Sequence, residues 1–369
     1  MTGGPLRIVT GINRPAAPAS GSTVLARDLY SAMPGVRTTF LGRSPVDPSW
    51  AAAFDQLITL STPKRPQGPD YGRYVAELAC EVGAILQEVR PGAVHVHHPG
   101  FALSLALART AGAAPLIAIA HGPEVMTAER SGAERDALAE VAAASTAIVA
   151  PAPALAERLD RLTAGRFTDR LTVIPWGIAL GEARIRERPA AGPGPLSLVH
   201  AGRLDENKST VTAIEALALT DQPHRLTVIG DGDLREHLEQ RAAELGLGER
   251  VRIHPFLPRP QLWQLLPRFD AYVFTTTGTE AFGLILIEAQ AHGLPVAYSN
   301  LPGVCEILGG AGIPYPPGDP RALAAVLDAL GRDPHRRENL GKAAAANAGR
   351  YDIAVTGRRL RDLTLRAAS

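Results

Sequence analysis

The chain has 369 residues, enough for two domains of ordinary size, each with its own core. Its 38 lysines and arginines almost balance 37 aspartates and glutamates, which argues against a nucleic-acid partner and against docking on an anionic membrane. Two cysteines, Cys80 and Cys305, are too few for a disulfide framework or a zinc site, and with no apolar signal core at the start they point to a cytoplasmic protein.

Residues 6–12 form a short apolar run that reads as the first buried strand. A loop with Pro15, Pro18, Ser20, Gly21, Ser22 and Thr23 follows, then a helix over residues 24–33. Strand, Gly/Ser turn and helix place a helix N-terminus at the carboxyl edge of a sheet, where anions bind. The turn is not a G-x-G-x-x-G fingerprint, so no dinucleotide cofactor is inferred. Residues 37–41 read as a strand, and the proline-rich residues 44–70 as an irregular loop. A helix is expected over 71–89, then a strand from Ala93 that ends at His97, His98, Pro99 and Gly100. His95 and His97 share a strand face, but no carboxylate or cysteine lies close in sequence, so a metal is not expected there. His97 and His98 stand at a strand end, where α/β folds place functional groups. The most apolar stretch, residues 101–120, is broken by Arg109, Gly112 and Pro115; it reads as helix, turn and buried strand, so no stable membrane insertion is expected. His121 stands at the carboxyl end of that strand, with Glu124 three residues on. Helices over 132–144 and 152–162 and strands over 146–150 and 171–174 complete the first series, and residues 186–195 read as a Pro/Gly/Ala-rich surface loop.

The second series starts with a strand from Leu196 that runs into Gly202 and Arg203, with Lys208 opening a helix. Two cations five residues apart across a strand-to-helix turn can both reach one diphosphate, one as a planar fork and one as a point charge. A strand over 226–229 ends in Gly230-Asp231-Gly232-Asp233, and another over 251–256 ends in Pro255-Phe256-Leu257. After a strand over 271–275, a turn of small residues leads to a helix expected from about Phe282 to His292, stopped by Gly293. Glu280 precedes that helix and Glu288 lies inside it; eight residues at helical rise span about 12 Å. The amides of Phe282, Gly283 and Leu284 are expected at the positive end of its dipole. Helices over 319–331, 333–349 and 352–367 close the chain.

The run Glu280-Ala-Phe-Gly-Leu-Ile-Leu-Ile-Glu288-Ala, with the following Gly-Leu-Pro-Val and Pro-Gly-Val-Cys-Glu, closely resembles the Glu-x7-Glu signature of retaining glycosyltransferases of family four. Gly202-Arg203-Leu204 with Lys208 resembles that family's Gly-Arg-Leu-x-x-x-Lys-Gly, except that Ser209 replaces the last glycine. Pro175-Trp176-Gly177-Ile178 is similar to its interdomain crossing, with Trp176 in place of the usual asparagine. The resemblance covers most of the chain and is closest in the second series.

The resemblance implies an α/β GT-B fold, two doubly wound Rossmann-like domains facing across a cleft: residues 1–177 for the acceptor, 178–350 for the nucleotide sugar, and a helix over 351–369 returning to the first domain. It implies that Glu280 holds donor-sugar hydroxyls, that Glu288 holds the ribose hydroxyls, and that Arg203 and Lys208 offset the diphosphate charge. Gly21 and Ser22 would approach the diphosphate, Gly230 would border the nucleotide pocket, and Phe256 and Leu257 would flank the base. His121 would face the donor sugar and help organise catalysis, while His97, His98 and Glu124 would meet the acceptor and the loop over residues 44–70 would lie on the acceptor side. The implied reaction needs no metal and no cofactor besides the nucleotide-sugar substrate, and no side-chain base, because the leaving phosphate takes the acceptor proton. A UDP-sugar and a small soluble polar acceptor, as in antibiotic or other secondary metabolism, are preferred. A lipid-linked or polysaccharide acceptor is the alternative, and a sugar-nucleotide epimerase the further one. The oligomeric state is left open.

Overall fold

Strand and helix alternate as the apolar periodicity predicts, and the strands gather into two separate parallel sheets. The computed structural model describes residues 5–17, 20–183 and 192–369. Pro18 and most of the loop expected over 186–195 lie outside the described residues. The chain divides into one unit of residues 1–177 with Ile353–Ser369, and a second unit of Ile178–Asp352.

The first unit runs β1 (Leu6–Ala16), α1 (Gly21–Ser31), β2 (Val36–Val46), α2 (Pro48–Ala51), β3 (Gln56–Thr59), α3 (Tyr71–Val89), β4 (Ala93–His97), α4 (Ala102–Thr110), β5 (Leu116–Ile119), α5 (Pro123–Arg130), α6 (Gly132–Ala144), β6 (Ala147–Ala150), α7 (Pro153–Leu162) and β7 (Leu171–Val173). Its sheet has the order β3-β2-β1-β4-β5-β6-β7, all parallel. The order reverses between β1 and β4, which opens a crevice at their carboxyl ends. The central strands β4, β5 and β6 are buried along their whole length, as sheets covered on both faces require.

Residues 44–70 are more ordered than their prolines suggest. Asp47 caps α2, accepting the Ser49 amide at 2.8 Å, and Pro48 sits in the first turn, where no donor is needed. Trp50 is fully buried beside Phe40 and Phe54, and β3 pairs with β2. The first helix begins three residues earlier than expected, because Ser20 and Thr23 form a reciprocal capping box.

The second unit runs β8 (Ser197–Ala201), α8 (Thr210–Leu219), β9 (Arg225–Ile229), α9 (Arg235–Glu244), β10 (Val251–His254), α10 (Arg259–Leu265), β11 (Ala271–Phe274), α11 (Leu284–Ala291), β12 (Val296–Ser299), α12 (Val304–Leu308), β13 (Gly312–Tyr315), α13 (Pro320–Arg332) and α14 (Pro334–Ala348). Its parallel sheet has the order β10-β9-β8-β11-β12-β13, reversing between β8 and β11. Leu198, Leu226, Val228, Val273, Ile214, Leu217 and Leu327 form the centre of its core. The last helix, α15 (Ile353–Ala367), belongs to the first unit, where it packs on α1. A Cβ at Gly357 would lie 3.1 Å from the Ala32 carbonyl oxygen, so the two helix backbones approach closely.

Candidate functional site

In the second unit, the loops after β8 and β11 meet at the point where the strand order reverses. Asp205 organises the first. One carboxylate oxygen accepts the Lys208 amide at 3.0 Å, and the other pairs with Arg203 at 3.1 Å. The Arg203 side chain is 76% exposed, so its guanidinium remains open to a ligand. Asn207 ties this loop to the other: its carbonyl accepts the Thr277 amide at 3.0 Å, and its side chain donates to the Thr279 carbonyl at 3.2 Å. Thr275 Oγ1 donates to the Lys208 carbonyl at 2.7 Å. The result is a contact between residues 72 apart in sequence: Lys208 Nζ lies 2.5 Å from Glu280 Oε2, both side chains mostly buried. Gly230 ends β9 against this loop. A Cβ there would lie 1.8 Å from the Gly202 carbonyl oxygen, so only glycine fits.

The helix bearing Glu288 is shorter than expected. It starts at Leu284, because Gly283 caps it in the left-handed region at φ 74°. Glu280 therefore lies on irregular backbone, and the 12 Å helical span between the glutamates does not apply. The amides of Phe282, Gly283 and Leu284 have no backbone acceptor among the described residues, while the Phe282 ring is buried against Tyr351. Glu288 is buried and its Oε1 accepts from Arg259 Nε at 3.0 Å. Arg259 lies at the start of α10, with its guanidinium over the Trp263 ring. No motif announces Arg259; its placement is a tertiary fact. Phe256 is 53% exposed with its amide bonded to Asp231, and Leu257 follows it half-buried. Asp231 is also paired with Arg235. Among the described residues no cluster of three or more histidine, cysteine, aspartate or glutamate side chains could hold a metal ion.

In the first unit, the ends of β4 and β5 bring three histidines together beside Trp176. The His121 ring lies tilted 4.4 Å from His98 and stacks 5.8 Å from Trp176, and its Nε2 lies 2.7 Å from His97 Nδ1. His97 Nε2 is 3.0 Å from the Tyr30 hydroxyl, so both of its ring nitrogens are engaged within the protein. The expectation that His97 meets an acceptor directly is therefore corrected: it stands behind His121. Glu124 is corrected likewise. It is 2% exposed, with Oε2 on His98 Nδ1 at 2.9 Å and Oε1 accepting the amides of His121 and Gly122. His98 differs, since its buried Nε2 has no partner. Its backbone is left-handed at φ 57°, an uncommon conformation for a histidine, and its amide donates to the Ile119 carbonyl at the β5 end. Burial, then the neighbouring His98, pushes His121 down to about 3 against the pull of Glu124. Burial also holds His97 well below its usual value and His95 down to about 3. Burial pushes the Glu124 carboxyl up, but the His98 hydrogen bond and charge outweigh it, and the carboxyl stays below its usual range. Gly21 and Ser22 occupy the first turn of α1; a Cβ at Gly21 would meet nothing, so packing does not require glycine there.

Two parallel α/β sheets, each with its polar side chains at the carboxyl ends around a reversal of strand order, define the GT-B fold. The family of glycosyl transferases group 1 matches residues 182–347, and Glycosyltransferase Family 4 matches residues 23–182. The chain belongs to the family-four glycosyltransferases. It is 32% identical over 230 residues to a D-inositol 3-phosphate glycosyltransferase of Xylanimonas cellulosilytica, covering 58% of this chain and 55% of that one. It is 31% identical over 273 residues to a glycogen synthase of Mycobacterium tuberculosis, covering 69% and 64%. The chain thus spans about half to two thirds of the length of these curated relatives. The fold is similar to that of Anabaena HepE in complex with UDP and glucose, with TM-score 0.79, 18% identity and coverage of 98% and 100%. It is also similar to a sucrose-phosphate synthase from Thermosynechococcus elongatus, with TM-score 0.82, 19% identity and coverage of 99% and 100%.

Proposed function

We propose that the chain is a retaining, metal-independent glycosyltransferase that moves a sugar from a UDP-sugar to a small, soluble, polar acceptor. The observation that carries this reading is the Lys208–Glu280 contact at the reversal point of the second sheet. In a nucleotide-diphospho-sugar the β-phosphate and the sugar ring are covalent neighbours. A lysine and a carboxylate in contact suit that pair, the ammonium taking the phosphate and the carboxylate the sugar hydroxyls. Arg203 and the amides of 282–284 add positive potential where charge develops on the leaving diphosphate. Glu288 takes the ribose hydroxyls, oriented by Arg259. Gly230, Phe256 and Leu257 border the nucleoside, and Gly21 and Ser22 approach the diphosphate. His121 faces the donor sugar. The acceptor enters near His98, beside the partly exposed His121. UDP is favoured as the nucleotide because a structure of the same fold holds it.

The acceptor preference rests on charge balance and on relatives that act on inositol phosphate. A polysaccharide acceptor is the second reading, since a relative of nearly equal identity is a glycogen synthase. Calorimetric titration with UDP, GDP, ADP and dTDP, without metal, tests the donor site. Binding of UDP that is lost in Glu288→Ala supports the reading, and absence of binding by all four overturns it. Transfer from the matching sugar nucleotide to free inositols or to oligosaccharides then separates the two acceptors.

A further inference from the structure

One end of the first unit contains polar groups that the proposed transfer does not explain. Tyr30, His95 and Thr364 are buried, at 5%, 0% and 0% exposure, yet they are joined in an unbroken series that reaches His121. Thr364 Oγ1, on α15, lies 2.9 Å from His95 Nε2; His95 Nδ1 lies 3.0 Å from the Tyr30 hydroxyl; that hydroxyl lies 3.0 Å from His97 Nε2; and His97 Nδ1 lies 2.7 Å from His121 Nε2. A neutral imidazole has one donor nitrogen and one acceptor nitrogen, so each link dictates the next.

The direction is set at the far end. The Thr364 hydroxyl donates to the Leu360 carbonyl at 2.7 Å within its own helix. Its oxygen can then only accept from His95, whose proton sits on Nε2. His95 Nδ1 accepts from Tyr30. With its hydrogen directed to His95, the Tyr30 oxygen accepts from His97 Nε2–H and from the Thr10 hydroxyl at 3.1 Å. His97 Nδ1 is left as an acceptor and takes the proton of His121 Nε2. His121 Nδ1 therefore carries a lone pair. No protein donor is bonded to it among the described residues, and His121 is the partly exposed end of an otherwise buried series.

We propose that Thr364, His95, Tyr30 and His97 are positioning residues that lock His121 as its neutral Nε2–H tautomer, presenting Nδ1 as a fixed hydrogen-bond acceptor for a hydroxyl of the bound sugar. The proposal rests on the reading of His121 as a residue that faces the donor sugar. It also sets ligand chemistry. A fixed lone pair accepts from a hydroxyl and is repelled by a carboxylate or phosphate in the same place, so an unmodified hexose is preferred there over a uronic acid. Burial supports the neutral state, since each ring of the series is held in its uncharged form.

The test is two-bond proton–nitrogen correlation on the 15N-labelled full chain, which distinguishes the tautomers of each histidine. In the wild type, His95, His97 and His121 are expected to carry their protons on Nε2. Thr364→Val removes the acceptor at the far end, and the series reverses: His95, His97 and His121 move to the Nδ1–H form, while Thr364→Ser keeps the wild-type pattern. With Tyr30→Phe the link is cut, and His97 and His121 lose the enforced form. Turnover in Thr364→Val is expected to fall about tenfold with the UDP dissociation constant unchanged, because the donor hydroxyl meets an N–H instead of a lone pair. A wild-type His121 carrying its proton on Nδ1, or a Thr364→Val variant that keeps the wild-type tautomers, overturns the proposal. The wild-type spectrum decides even if a variant fails to fold. Expected tautomers with no sugar transfer by the wild type would overturn the transferase reading and leave the locked histidine standing.

Discussion

Replacing Glu280 with glutamine should move nucleotide binding and turnover in opposite directions. Lys208 Nζ lies 2.5 Å from Glu280 Oε2, and the two side chains are 17% and 13% exposed, so each charge largely cancels the other. A diphosphate that reaches Lys208 also meets the Glu280 carboxylate. At an effective dielectric of about 20, a carboxylate about 5 Å from a phosphate is repelled by roughly 3 kcal/mol. The remaining solvent contact screens this to about 1 kcal/mol, a roughly fivefold tighter UDP complex once the charge is removed. Sugar transfer should move the other way. The carboxylate is the stronger acceptor for sugar hydroxyls, and its loss should lower kcat by roughly 100-fold. Titration calorimetry with UDP and initial rates with the UDP-sugar read the two effects. Lys208→Met should weaken UDP, and the double variant should show about 1 kcal/mol of non-additivity, since the residues touch. A Glu280→Gln protein with undiminished turnover and unchanged UDP affinity would refute the reasoning.

Glu288→Ala should weaken UDP and leave pyrophosphate binding unchanged, because its expected contact is with the ribose; equal losses for both ligands would remove that assignment. Arg259→Ala should weaken UDP in the same selective manner, since it takes away the guanidinium that holds the buried Glu288 carboxylate at 3.0 Å. Ser209 lies in the left-handed region at φ 44°, where glycine is unstrained, so Ser209→Gly should stabilise the second unit by about 0.5–1 kcal/mol in urea unfolding despite losing the Thr212 hydrogen bond. His95, His97 and His121 have folded pKa values below their unfolded value, so the unfolded chain binds more protons as pH falls. Stability of the first unit should be flat above about pH 7 and drop below about pH 6, by up to about 1.4 kcal/mol per pH unit for each histidine. Urea midpoints that do not change between about pH 8 and pH 5 would contradict this.

Features that are local in the chain are legible in its sequence. The strand–turn–helix pattern, the Gly202-Arg203 turn and the Glu-x7-Glu run are local, and the parallel sheets with their reversal points follow from the alternation. Residues 44–70 mislead because prolines suggest broken structure, whereas Pro48 sits at a helix start, where it is tolerated, and the buried Trp50 organises the segment. The helix α11 begins later than its apolar pattern predicts, because Gly283 takes a left-handed conformation inside that pattern.

Pairing across distance is what the sequence does not disclose. Glu280 and Lys208 each carry a local signal, but their contact joins residues 72 apart; Glu288 carries one too, but its partner Arg259 lies 29 residues before it in a segment with no motif. The same holds in the first unit. His95 is visible only as a strand neighbour of His97, and Tyr30 and Thr364 only as ordinary helix residues. Yet a strand buried on both faces cannot carry His95 and His97 without partners, because an unpaired buried imidazole nitrogen costs about 1–3 kcal/mol. That requirement is implicit in the run Ala93-Val-His-Val-His. A buried parallel strand with two histidines on one face demands donors and acceptors from helices packed over that face, and α1 and α15 supply them through Tyr30 and Thr364. The polar atoms of a buried strand therefore constrain the helices that cover it: one of them must carry a hydroxyl, or another side chain able to donate and accept, opposite each histidine.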